Sequence, residues 1–394
     1  MIMSLDPQRH LAQQIQKIPR SGIRDFFELV IGRDDVISLG VGEPDFSSPW
    51  HIREAAIYSL ERGETSYTSN LGLLSLREAI AGYVSETFEL RYDAKSEILI
   101  TVGVSEAIDL AFRALLNPGD EVIYHEPCYV SYNPSIALAY GVPVAVATKP
   151  ENDFSLKAAD VAAAITPKTR ALMLNFPTNP TGAVIDRAEL EAIAKLAVEH
   201  DIVVLSDEIY SELRYEGTDH TSIATFPGMK ERTIFLHGFS KAFAMTGFRV
   251  GYACAPQALM EAMMKIHQYS MLCAPITSQV AAVEALRHGA GPAEEMRQAY
   301  AHRRNLLLSR FAEAGIPCFA PGGAFYAFPD IRATGMTSQD FARQLLDEES
   351  VACVPGDAFG PSGEGFLRCC YAASTDSLRE AMTRIGRFYE KHVS

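Results

Sequence analysis

Short apolar runs rich in Val and Ile punctuate the middle of the chain: Ile98–Val102, Glu121–Tyr124, Pro143–Ala147, Ala171–Leu174, Ile202–Leu205, Thr233–Leu236 and Val250–Ala253. They are too short for helices and apolar on both faces, which is what strands of a largely parallel sheet covered on both sides require. Segments of mostly helical period separate them, at Glu106–Leu116, Val130–Ala139, Asp186–Glu199 and Ala258–Leu286. The pattern predicts an α/β large domain with a mostly parallel seven-stranded sheet between helices. Ahead of it, Ser48-Pro49 opens a helix to about Arg62, and Ser75–Phe88 reads as another.

After the glycine-rich break His288–Pro292 the rhythm changes. A helix over Ala293–Ala314 leads into strand-like pieces (Ala324–Phe328, Val351–Val354, Phe366–Tyr371) alternating with helices (Ser338–Leu346, Asp376–Lys391), as in a smaller α+β domain. The expected division is 46–290 for the large domain and 291–394 for the small one, with residues 1–45 an N-terminal arm and part of the small domain. The first 35 residues are amphipathic around an interruption at Pro19, with Ile23, Phe26, Phe27 and Val30 at helical spacing. They suit an arm packed on the body or on a second subunit. There is no internal repeat and no low-complexity segment.

Composition narrows the function. Across 394 residues the formal net charge is −14, and no basic run offers phosphate neutralisation, so nucleic acid is not expected as a partner. Seven cysteines occur without a Cys-x-x-Cys pair, which fits a reducing compartment and no metal site. Cys369-Cys370 reads as two buried small apolar residues. The N-terminus has no signal-peptide pattern. The stretch Ile266–Val283 lacks Asp, Glu, Lys and Arg but carries His, Gln, Ser, Thr and Pro275, so it fails as a membrane span. A cytoplasmic protein is expected.

Candidate chemistry gathers at the ends of the apolar runs, where ligands sit in such sheets. Lys241 stands among small and hydroxylic residues after Thr233–His237, and Arg249 follows before the next run. An amine that attacks a carbonyl needs a partly desolvated setting, which disfavours the ammonium form. The hydroxyls and the arginine suggest a phosphate nearby. Gly103-Val104-Ser105 precedes a helix, whose first N–H groups favour an anion, although Ser105 alone is equally an ordinary cap. Asp207 ends the run Ile202–Leu205, where a buried carboxylate needs a cation, unless it merely caps a helix. Val36–Phe46 runs a short strand into Gly42 and Pro44, so backbone there must approach something closely or turn.

Taken together, Ser38–Phe46, Tyr67–Asn70, Asn175–Gly182 with Asn179-Pro180-Thr181-Gly182, Asp207-Glu208-Ile209-Tyr210, Ser240-Lys241 with Arg249, and Phe366-Leu367-Arg368 resemble the class I aminotransferases of the fold-type I pyridoxal-phosphate enzymes. The resemblance spans nearly the whole chain. Gly-Glu-Pro-Asp-Phe and Phe-Ala-Met-Thr-Gly point to the subgroup of aromatic, aspartate and N-acetyl-diaminopimelate aminotransferases. It implies that Lys241 holds pyridoxal 5′-phosphate as a Schiff base and then shuttles the α-proton. It also implies that Asp207 pairs with the pyridine nitrogen, and that Asn179 and Tyr210 bond the cofactor's phenolic oxygen. Gly103, Val104, Ser105, Ser240 and Arg249 would take the phosphate, with Tyr67 reaching it from the neighbouring subunit of a homodimer. Tyr129 would stack on the ring. Arg368 and the backbone at Gly42 would hold the substrate α-carboxylate, with Asn179 beside them. Read singly, Tyr129 and Tyr210 are equally packed aromatics, Asn179 a turn residue and Arg368 half of a structural ion pair.

The sequence departs from the family pattern at Gly238, often hydroxylic, at Val104, often smaller, and at Phe248, often tryptophan, so a phosphate bond or two is in question. Ile266–Gln279, near where dicarboxylate-specific relatives supply a second arginine across the dimer, contains no Arg or Lys. The implied activity is a ping-pong transfer of an amino group from an L-amino acid, aromatic or long and polar, to a 2-oxo acid such as 2-oxoglutarate. A carbon–sulfur lyase of the same fold would share every cofactor residue. A non-enzymatic ligand-sensing relative would need an added DNA-binding module.

Overall fold

The computed structural model describes residues 6–16, 18, 20, 22–23, 32–33 and 35–393. Pro19 and, of the arm's apolar residues at helical spacing, Phe26, Phe27 and Val30 lie outside them. Among the described residues the seven apolar runs form one sheet: β2 (Ile98–Thr101), β3 (Glu121–Glu126), β4 (Val142–Ala147), β5 (Thr169–Asn175), β6 (Val203–Asp207), β7 (Thr233–Gly238) and β8 (Gly251–Cys254). A short strand, β1 (Ile37–Ser38), precedes them. Their order is β2-β8-β7-β6-β5-β3-β4, and β8 alone runs antiparallel to its neighbours. Burial explains the apolar runs, for every residue of β2, β7 and β8 is buried. The strand β4, at one edge of the sheet, is more open, with Val142, Ala145 and Ala147 exposed.

Helices fill both faces. Among them are α1 (Trp50–Glu61), α2 (Leu74–Phe88), α3 (Gly103–Leu115), α4 (Tyr132–Leu138), α5 (Ala158–Ala164) and α6 (Arg187–Glu199). In α3 the residues Ala107, Ile108, Ala111 and Leu115 recur at helical spacing and are buried against the sheet, and Phe112 is buried beside them. One expected helix is two. Instead of a continuous Ala258–Leu286, α7 (Gln257–Ser270) stops and α8 (Ile276–His288) restarts after Pro275. Leu272 takes a left-handed conformation with φ 68°, and the proline cannot donate to the preceding turn, so the ladder breaks between them. Conversely, the glycine-rich run at 288–292 breaks little: α9 begins at Ala290 and runs to Glu313.

Beyond α9, β11 (Val354–Pro355) and β9 (Tyr326–Ala327) flank β12 (Leu367–Cys370) in an antiparallel sheet. The helices α10 (Ser338–Glu349) and α11 (Thr375–His392) cover it. The short β1 pairs in parallel with β10 (Val351–Ala352), so the segment leading to Gly42 is held against this C-terminal layer. No described helix is long and apolar enough to cross a membrane.

Candidate active site

Strand register creates the site. Pairing of β5 with β6 sets Asn175 opposite Asp207 at the carboxyl ends of both strands, and β7 delivers the chain to Lys241 beside them. A cavity of about 470 Å³ opens there, between the sheet's carboxyl edge, the segment after β1 and the layer bearing β9 and β12. Eleven residues singled out from sequence line it: Gly42, Val104, Ser105, Tyr129, Asn179, Asp207, Tyr210, Ser240, Lys241, Arg249 and Arg368.

The Lys241 amine donates to the Gly42 carbonyl oxygen at 2.7 Å and lies 5.8 Å from the centre of the Tyr210 ring. Enclosure pushes its pKa down to about 8, with Arg368 and Arg249 adding to the effect against Cys370 and Glu43. Asp207 is buried, and burial pushes its carboxyl up to about 6, opposed chiefly by the Tyr132 hydroxyl and the Ile209 N–H. The Tyr132 hydroxyl donates to Oδ2 at 2.7 Å, and Ile209 N–H to Oδ1 at 3.3 Å. Among the described residues no Lys, Arg or His forms an ion pair with this carboxylate. Behind it, Glu208 is fixed by Ser206, Ser222 and His220. His237 meets Glu212 at 2.9 Å. That charge raises the imidazole's pKa although burial lowers it.

Arg368, on β12, is only 2% exposed. Its Nη1 donates to Asn179 Oδ1 at 3.0 Å and its Nη2 to the Gly40 carbonyl, while Nε has no partner. No described carboxylate pairs with it, so the ion-pair alternative fails: Arg368 lines the cavity as a buried guanidinium with one donor unused. Such a charge is costly unless a ligand anion completes it.

At the other end, Gly103 has φ +75°, and a β-carbon there would stand 2.6 Å from the Arg249 guanidinium. The glycine thus lets Arg249 approach the first turn of α3, where free N–H groups converge. Two of the three departures from the family pattern, Gly238 and Val104, are one packing exchange. A β-carbon at Gly238 would lie 3.2 Å from Val104 Cγ2 and 3.0 Å from the Gly251 Cα, so Val104 fills the room a side chain at 238 would take.

Tyr67, expected to act across a dimer, does not line the cavity of its own chain; it is 82% exposed on the loop after α1. Gly42 lines the cavity, and its missing side chain leaves room for Tyr326, whose Oη would stand 2.7 Å from a β-carbon at 42. Tyr132 and Tyr326 line the cavity without having been singled out from sequence, and Asn175 was named only as the start of the Asn175–Gly182 stretch. Asn175 donates to the Asp207 carbonyl oxygen at 2.9 Å, Tyr132 supports the Asp207 carboxylate, and Tyr326 meets Tyr210. The available signals were slight: Tyr132 lies three residues from Tyr129, and Tyr326 is the one hydroxyl within Ala324–Phe328.

A family model described as aminotransferase class I and II matches residues 34–385. The chain is 53% identical over 382 residues to the putative aminotransferase YugH of Bacillus subtilis, covering 97% of this chain and 99% of that one. It is 45% identical over 377 residues to an aspartate aminotransferase of Pyrococcus abyssi, covering 95% and 97%. Among solved structures it resembles the aromatic aminotransferase of Pyrococcus horikoshii, with TM-score 0.89, 46% identity and 94% and 99% of the two chains covered.

Proposed function

The chain belongs to the class I and II aminotransferases, enzymes dependent on pyridoxal 5′-phosphate, and we propose that it moves the amino group of an L-amino acid with an aromatic or long polar side chain to a 2-oxo acid, 2-oxoglutarate among them. One observation carries the substrate side of this reading: the buried Arg368, with an unsatisfied Nε and no described carboxylate partner, across the cavity from the Lys241 amine.

The residues present fit the cofactor. The cradle of Gly103, Val104, Ser105, Ser240 and Arg249 suits a phosphate, and the buried Asp207 lacks the cation that a protonated ring nitrogen supplies. When bound, pyridoxal phosphate supplies an aldehyde for amine capture and a ring that withdraws electrons. Tyr129 would cover the ring, Asn179 and Tyr210 would bond its phenolic oxygen, and Asp207 would pair as a carboxylate with its nitrogen. Arg368 grips the substrate carboxylate as a fork, and so fixes which α-bond is presented to Lys241. Lys241, neutral in a fraction of molecules at pH 7 because its pKa is near 8, would take the substrate α-proton on Nζ and give it back within the same turnover.

Side-chain preference follows from counting cations. Lys241, Arg249 and Arg368 are the only Lys or Arg side chains lining the cavity among the described residues, and all three are engaged. None remains for a second carboxylate, whereas Ile108 and Tyr129 offer apolar wall. A panel of single amino acids with and without 2-oxoglutarate tests this. Aromatic and long polar donors are expected to react only when the acceptor is present, and the amide of the best donor is expected to lose about 10²–10³-fold in kcat/KM, as when one partner of a buried charge pair is removed. Keto acid and ammonia formed without acceptor would establish a lyase instead, and aspartate as the best donor would refute the preference.

The working unit is a cytoplasmic homodimer in which Tyr67 reaches the neighbouring phosphate site, with residues 46–290 forming the cofactor domain and 291–394 with 1–45 the small one. Tyr67 shares its exposed face with the loop around Leu272, to whose carbonyl Asn70 donates at 2.8 Å, and Tyr269 nearby is 88% exposed. Large aromatics left this open suit burial against a second copy. Sedimentation is expected to give twice the 43.2 kDa chain mass, and a stable monomer with full activity would contradict it.

A further inference from the structure

A second phenol adjoins Tyr210 and has no part in the reading above. Tyr326, on β9, is fully buried, and its Oη lies 2.8 Å from Tyr210 Oη and 3.4 Å from the Gly42 carbonyl oxygen. Its ring lies under Arg368, 4.7 Å from the guanidinium carbon. We propose that Tyr326 is a positioning residue for Tyr210: its hydroxyl donates to the Tyr210 oxygen and thereby leaves the Tyr210 proton for the oxygen of the bound cofactor. The inference rests on the pyridoxal-phosphate reading of the site.

Two hydroxyl protons must be placed. Each phenol owns one donor. Tyr326 can reach two acceptors. The Gly42 oxygen is 3.4 Å away, long for an O–H···O bond, whereas Tyr210 Oη at 2.8 Å lies at a typical distance. The Tyr326 proton therefore goes to Tyr210. With the opposite polarity Tyr210 would spend its proton on Tyr326, and nothing would point from it into the cavity. Among the described residues Tyr210 Oη has no other hydrogen-bond partner. A hydroxyl that accepts one bond donates a stronger one, so the pair acts in series. Burial holds both phenols well above the usual phenol range, so they work as neutral donors. Tyr326 is itself fixed by the Arg368 guanidinium on its ring and by the clearance at Gly42.

The test is a double-mutant cycle on the holoenzyme, with Tyr326→Phe, Tyr210→Phe and the double variant, read by pH titration of the bound cofactor's visible absorbance and by cofactor retention on dilution. The cofactor's phenolic oxygen is most negative in the deprotonated form. A weaker Tyr210 donor disfavours that form, and the titration midpoint moves up. For Tyr326→Phe the expected shift is about half a pH unit, with cofactor retention about 3-fold weaker. Tyr210→Phe is expected to shift the midpoint further in the same direction, and the double variant to match it. A midpoint for Tyr326→Phe equal to wild type, or a shift that adds in full to that of Tyr210→Phe, would overturn the proposal, since a merely structural role adds. Wild-type protein that never takes up pyridoxal phosphate would instead bring down the underlying reading together with this one.

Discussion

Replacing Lys241 by alanine is expected to lower kcat by about 10⁴-fold or more, because one amine provides both covalent capture and the mobile proton. The fold is expected to survive, since the side chain's one described hydrogen bond is to the Gly42 carbonyl. Circular dichroism and the melting transition check that, and steady-state transamination checks the loss. The environment of the amine adds a pH signature. Its pKa is lowered by burial from the usual lysine value to about 8. The neutral amine therefore grows as pH rises toward 8 and is nearly complete a unit above. The rate at which apoprotein captures the cofactor aldehyde is expected to rise with pH and level off above about 8, rather than climb toward the range of an exposed lysine near pH 10. A rate still climbing at pH 10 would place the reactive amine elsewhere.

The second large effect is at Asp207. Its carboxylate is buried, supported by Tyr132, and lacks a described cation. Asp207→Asn keeps the shape and removes the charge, so the ring nitrogen of the bound cofactor loses its partner. Breaking a buried charge pair costs about 3–5 kcal/mol, which corresponds to about 10²–10⁴-fold in kcat. Without cofactor the same change is expected to stabilise the protein. Burial raises the carboxyl's pKa from 3.8 to about 6, so the folded apoprotein binds more protons than the unfolded chain between those values. Stability from this group is present at low pH and is lost as pH rises through about 6. The Asn variant should therefore melt above wild-type apoprotein at pH 7 and show no advantage below about pH 4. A variant that keeps wild-type kcat would remove Asp207 from the chemistry. A variant destabilised at every pH would mean that the carboxylate is structural.

The fold was legible where one physical term dominates. Each buried strand had to be apolar on both faces, so all seven runs stand in the sheet within a few residues of their expected limits. Between α7 and α8 the helical spacing continues through the break and the left-handed turn at Leu272 leaves no pattern in residue types, so Pro275 is its one visible signal. In the site, residues whose chemistry is unusual for their setting could be found, such as a lysine among hydroxyls or an aspartate ending an apolar run. Tyr132 and Tyr326 could not, since tyrosine in such positions packs as often as it binds. What gives them a role is distance across the chain: Tyr132 to Asp207 spans 75 residues and Tyr210 to Tyr326 spans 116. Tyr67 was legible only through family likeness, and it lies outside the cavity of its own chain.

The most direct measurement of the central claim is borohydride reduction of the protein reconstituted with pyridoxal phosphate, followed by peptide mapping. The account predicts a yellow protein that bleaches on reduction and carries one pyridoxyl label per chain, on Lys241. A protein that stays colourless, or a label on another lysine with Lys241 unmodified, would contradict it.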